Sequence, residues 1–169
     1  MYSSDVYLLI VLMLRINMTQ LSFTHWLNTH IQKLNARSGS IHYADSQDTL
    51  HLLASVNLPD STLHMIQSIP YGKGMAGQAQ KRLSPWSTCN LPQDPSSIIQ
   101  PKARHVQAQG AIAYPLIHHL SDPHRCLGVV GFAFAHPLPS LESDDYQELV
   151  KKLEYCTQAL TLSILQRFS

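Results

Sequence analysis

Apolar residues recur at three- and four-residue steps near the start of the chain and again at its end. Phe23, Trp26, Leu27, Ile31 and Leu34 share one face of a helix that Ser22 can cap and that Ser38-Gly39 ends just after Arg37. Tyr146, Leu149, Val150, Leu153, Leu160 and Ile164 form a second stripe, on a long helix begun by Ser140 or Ser143 and reaching Arg167. Between these helices the period changes to two. Ile41 and Tyr43 alternate with polar neighbours, as do Leu50, Leu52, Ala54 and Val56, and the polar turn from Asp45 to Asp48 makes them a hairpin with one buried face. Ser61 to Ile69 predicts a short helix, capped by Asp60 or Ser61 and ended by Pro70, and Met75 to Arg82 predicts another. Trp86 to Cys89 is a short strand and Ala111 to Ile117 a longer one. Cys126 to Ala135 is apolar almost throughout, as a strand buried on both faces is. Strands grouped between terminal helices predict an α+β domain with an antiparallel sheet, where strict alternation of strand and helix would predict a parallel one.

Two segments stand outside this pattern. Val6 to Leu14 is uniformly apolar, yet its length is far below the ~20 residues that span a bilayer. It also lacks the preceding basic residues and the small-residue cleavage site of a signal peptide. Residues Met1 to Asn17 are therefore read as a leader, either a short helix or strand packed on the domain or, as favoured, an over-extended start before Met18, with the domain over 18–169. The second segment, Asn90 to Gln109, carries Pro92, Pro95 and Pro101 among polar residues. A connection of that length inside a small domain is usually functional or disordered.

Composition narrows the classes. Lys and Arg total 12 against 11 Asp and Glu, a formal charge of +1, which offers no clustered basic field for nucleic acid or an anionic membrane. Cys89, Cys126 and Cys156 are odd in number and widely spaced, which fits a reducing, cytoplasmic setting.

Three stretches then fall into register with one family. Gly72-Lys73-Gly74-Met75-Ala76-Gly77-Gln78-Ala79 resembles the GKGxAGxA turn and helix of GAF domains. Gly110-Ala111-Ile112-Ala113-Tyr114-Pro115-Leu116 is similar to the family's strand ending in a Pro-Leu pair, and Leu127-Gly128-Val129-Val130-Gly131 to its central strand. Cys89 to Asp94, with Pro101 and Ala103, resembles short stand-alone members. The resemblance implies about six antiparallel strands, both terminal helices on one face, and a loop-covered ligand pocket on the other. It also implies pairing of the terminal helices in a homodimer. Members bind cyclic nucleotides, tetrapyrroles, small anions or amino acids, and fold alone does not choose among them.

Candidate ligand-binding residues follow from chemistry. Lys102, Arg104 and His105 place three donors within four positions of the long loop, while Tyr71, Met75, Trp86, Ile98, Val106 and Tyr114 supply apolar walls. This points to a small polar or anionic metabolite. The first turn after Gly74 offers free backbone N–H groups, although its glycines serve close packing equally well. His118, His119, Asp122, His124 and Cys126 lie within nine residues but at spacings that fit no standard metal site, so no metal is expected.

One enzymatic branch of the family reduces free methionine sulfoxide through cysteines in the glycine-turn helix and the loop. Here Met75 and Ala76 stand in the helix, and 90–109 holds no cysteine. A sensory or regulatory binding domain acting through a separate partner is expected, not an enzyme, and covalent tetrapyrrole attachment is not. A dimerisation module with a vestigial pocket is the alternative. The leader reading has a direct check: a chain beginning at Met18 should keep the melting temperature of the full chain. A fall of more than ~10 °C, equivalent to roughly 2 kcal/mol or more, would instead assign core contacts to residues 1–17.

Overall fold

The computed structural model describes residues 22–88, 108–121 and 123–168. The leader, Cys89, and the loop residues Ile98, Lys102, Arg104, His105 and Val106 lie outside them.

Helix α1, Phe23–Leu34, opens on Ser22, whose Oγ accepts from the His25 amide at 3.3 Å. It ends three residues earlier than expected. Asn35 takes a left-handed conformation at φ 53°, which its short polar side chain tolerates, and closes the helix. Ser38 and Gly39 thereby become the first residues of β1, Ser38–Ala44, which forms the expected hairpin with β2, Leu50–Val56. Its single buried face is not observed: the register shifts between Ile41 and His42, so Ile41 and Ala54 join one core while Ala44 and Leu50 join a second. Asp45 builds the turn by accepting from the amides of Gln47 and Thr49 at 2.8 and 3.0 Å.

The segment expected as one helix to Ile69 divides. Helix α2 covers Asp60–Ile66, and Ser68–Ile69 forms β3, paired with His51 and Leu50 of β2. Two residues leave no visible period, so this sixth strand had no signature in the pattern. Helix α3, Gly74–Arg82, strand β4, Trp86–Thr88, strand β5, Gly110–His118, and strand β6, Arg125–Phe134, follow. Helix α4, Asp144–Phe168, starts where Ser143 Oγ accepts from the Tyr146 amide at 3.2 Å.

The six strands form one antiparallel sheet in the order β3-β2-β1-β6-β5-β4. Helices α1 and α4 lie antiparallel on one face: the Arg167 guanidinium sits 4.6 Å over the Phe23 ring, and Lys33 and Leu34 border Asp145 and Leu149 at the other end. Beneath them Leu27, Ile41, Val130, Phe132, Leu153 and Leu160 share a continuous core. Each fully buried Leu or Ile contributes about 1.5–3 kcal/mol, so this layer supplies most of the stability. The other face is thinner, with Leu50, Ala113 and Val129 of the sheet packed against Ala79 of α3. No helix among the described residues is long and apolar enough to cross a membrane.

The β1–β6 pairing is the tightest point of the sheet, because a Cβ added at Gly128 would overlap the His42 carbonyl oxygen, which is backbone and cannot yield. At Gly131, by contrast, it would meet only the Ser40 Oγ at 3.3 Å. Gly128→Ala should therefore lower the unfolding free energy by about 1–3 kcal/mol, and Gly131→Ala by clearly less. Urea denaturation of both variants checks this, and equal losses would contradict the register.

Candidate functional site

On the face away from α1 and α4 the central strands carry almost no side chain. Ser38 of β1 pairs with Ala133 of β6, which pairs with Ala111 of β5; one step on, Ser40 pairs with Gly131 and Gly131 with Ala113. Paired residues project to the same face, so these two rows of small residues leave a hollow. The opposite face of the same strands carries Ile41, Ile112, Val130 and Phe132. Leu58, just before α2, and Met65, Ile66, Met75 and Ala76 of helices α2 and α3 wall the hollow, giving a largely apolar cavity of about 280 Å³.

Its polar groups are few and unusual. Ser38, His42 and Thr62 all line the cavity, are 0, 2 and 6 % exposed, and hold Oγ, Nδ1 and Oγ1 atoms without a hydrogen-bond partner among the described residues. Leaving such an atom unpaired costs about 1–3 kcal/mol. His42 is anchored on its other nitrogen, which lies 2.8 Å from the Ile66 carbonyl oxygen at the end of α2. A carbonyl can only accept, so Nε2 carries the proton and Nδ1 presents a lone pair. Burial, with a smaller contribution from nearby His51, pushes the pKa of His42 down to about 4 against the favourable Ile66 bond, and the ring is neutral.

The rim is the glycine turn. Gly72 has φ 73°, and a Cβ at Gly77 would lie 2.9 Å from the Gly72 carbonyl carbon, so these glycines pack the turn onto the helix. Lys73 and Gly74 line the cavity, and Lys73 at the start of α3 makes no side-chain capping bond. The first-turn amides therefore leave this edge favourable to a negative or electron-rich group.

Of the residues expected from the sequence, Met75 lines the cavity. Tyr71 is half exposed on the turn, outside the lining. Trp86, paired with Ala113, lies beneath the Arg82 guanidinium at 4.2 Å and closes the sheet beside α3 without lining the hollow. Tyr114 belongs to the opposite face, because it alternates with Ala113. It packs into the helix-side core near Glu154 and Cys156, where burial pushes its hydroxyl up to about 12. Ser38, His42 and Thr62 were missed. The small residues at alternate positions, Ser38 and Ser40 on one strand and Ala111 and Ala113 on another, were the signal that could have found the first two.

The described thiols are away from the cavity. Cys126 is buried, its Sγ donating to the Gly128 carbonyl oxygen at 3.0 Å, and burial raises its pKa to about 11. Cys156, on α4, is likewise raised to about 11 by burial. The His119 and His124 rings meet edge to face at 5.4 Å on the β5–β6 connection, and no group of three potential metal ligands occurs among the described residues.

No family model and no curated protein sequence matches the chain. Solved structures do. The GAF domain of an Acinetobacter phosphoenolpyruvate-protein phosphotransferase superposes with a TM-score of 0.62 at 14% identity, covering 95% of this chain and 94% of that one. A type II free methionine-R-sulfoxide reductase from Thermoplasma acidophilum gives 0.59 at 13% identity over 94% and 96%. A Staphylococcus aureus NreA protein mutated in its nitrate binding site gives 0.56 at 15% identity over 78% and 94%. The chain has a GAF-like fold, and likenesses this remote in sequence establish the fold alone.

The neutral His42 makes a pH prediction. The folded ring takes up a proton only near pH 4, whereas the unfolded chain does so near 6.5. Between those values the unfolded state binds more protons. The stability contribution is therefore complete above pH 6.5 and is lost as pH falls toward 4, by about 3 kcal/mol in all. Subtracting the urea-unfolding pH profile of His42→Gln, which cannot titrate there, isolates this contribution. A difference that stays flat from 6.5 to 4 would contradict a buried neutral ring.

Proposed function

We propose that this protein is a small-molecule-binding regulatory domain whose cavity takes a polar metabolite and whose output passes to a separate partner. The observation that carries the reading is the cavity of about 280 Å³ with three buried polar side chains whose hydrogen-bonding atoms are unspent. Evolved interiors rarely leave such groups unmet, and a ligand resting on the apolar walls would satisfy them. The volume suits a compact metabolite, since pockets for larger ligands run from about 300 to 1,000 Å³.

Occupancy has a route to the outer layer. Ile112 and Phe132 both line the cavity and belong to the core beneath α1 and α4. A ligand that shifts the sheet there alters the support of the two helices through which a homodimer or partner would read the state. Binding without catalysis is the better reading, because an enzyme of the methionine sulfoxide reductase kind needs a thiolate at its substrate. The two described thiols are raised in pKa and lie elsewhere.

The test is a thermal-shift screen of amino acids, carboxylates, nitrate, amides and nucleobases against the full chain and Ala111→Leu. Leucine at 111 projects into the hollow from the sheet floor. At a hundredfold excess over its Kd, a ligand should stabilise the wild type by about 2.7 kcal/mol, a rise of several degrees that Ala111→Leu should abolish while remaining folded. No response from any compound would favour the dimerisation module. Turnover of free methionine sulfoxide with a thiol reductant, lost in Cys89→Ser, would make the protein an enzyme.

A further inference from the structure

His42 meets two demands at once, and only one is met within the chain. Its Nε2–H binds the Ile66 carbonyl and ties the end of α2 to the centre of the sheet. The tautomer that this bond enforces leaves Nδ1 as an acceptor with no donor among the described residues. Ser38 and Thr62 can give or take a hydrogen bond by rotating their hydroxyls, so they discriminate little between ligands. His42 cannot adapt in this way. Of the buried polar side chains lining the cavity, its imidazole is therefore the one with a fixed preference.

We propose that His42 is a specificity-determining acceptor, taking a hydrogen bond at Nδ1 from an N–H or O–H of an uncharged small molecule whose body rests on Met65, Ile69 and Met75. The inference rests on the cavity being a ligand site and adds the class of ligand: amides, ureas, lactams or alcohols. A carboxylate at this position would set lone pair against lone pair. A ketone of the same shape would enter the apolar part and leave the acceptor unmet, and a buried group left unpaired is what separates good ligands from isosteres that merely fit. The edge at Lys73 and the first turn of α3 can still hold an acceptor on the same molecule. The amide group, with donor and acceptor together, thus suits the site best.

Benzamide, acetophenone and benzoate are matched probes of nearly equal shape, of which only the first carries the donor. Titrated into the full chain with 15N-labelled histidine, benzamide should move the Nδ1 resonance of His42 and bind roughly tenfold more tightly than acetophenone, with benzoate weaker than benzamide. In His42→Phe, which keeps a planar ring but has no acceptor, that preference should disappear while the affinity for acetophenone stays within about twofold. Should that variant fail to fold, the wild-type affinities and the Nδ1 signal decide alone. If all three probes shift the backbone amides of Ala111, Ala113 and Gly131 with equal affinity, the cavity is a binding site and the role given to His42 is overturned. If none shifts them at saturating concentration, both the role and the binding reading fall.

Discussion

The arrangement of β1, β6 and β5 governs the rest of the molecule, because their side chains divide by size between the two faces. Ile41, Val130, Phe132 and Ile112 go to one side, Ser38, Ser40, Gly131, Ala133, Ala111 and Ala113 to the other. The large residues hold α1 and α4 flat against the sheet, where Ser87 Oγ and the Tyr146 hydroxyl also meet at 2.9 Å. The small residues keep α2 and α3 from closing down on the opposite side. One alternation thus creates both the stable layer and the hollow, and a slip by one residue would exchange them. The slip is resisted where β6 presses Gly128 against the β1 backbone.

A bulge refines this division. The register between β5 and β6 shifts between Leu116 and Ile117, so Leu127 has no partner of its own and packs into the helix-side core. Cys126 and Val129 meanwhile stay on the cavity face, in the cluster under α3. The extra residue lets β6 serve both cores beyond the hollow. Stability and ligand space are therefore distributed along the same strand, with the hollow where the residues are small and a packed plug where Val129 returns.

Keeping the hollow open costs free energy. The empty cavity forgoes dispersion contacts, and three polar atoms are shut in without partners. A protein with only the helix-side layer to maintain would gain by filling it with larger residues. A robust face and an unfilled one thus lie back to back, with the hollow one sheet thickness from α1 and α4.

Much of the architecture was legible in the sequence. The stripes of α1 and α4 and the doubly buried β6 follow from hydrophobic period alone, because each reflects a whole face committed to a core; the β1–β2 hairpin formed, but a register shift divided its apolar residues between both faces. Short-range conformational choices were less legible: Asn35 ended α1 before Ser38-Gly39 could, and β3 exists only because β2 offers an edge to pair with. Of the candidate site residues, Met75 and the glycine turn lie at the cavity, whereas the charged candidates Lys102, Arg104 and His105 fall outside the described residues. Tyr114 went to the other face because strand parity overrode its chemistry. The decisive group, His42, looked like an ordinary polar member of a strand. Its partner Ile66 lies 24 residues away, and its unmet nitrogen arises from burial on one side and a single carbonyl on the other. Periodicity determines which way a side chain faces; only tertiary packing determines which of its atoms are left without a partner.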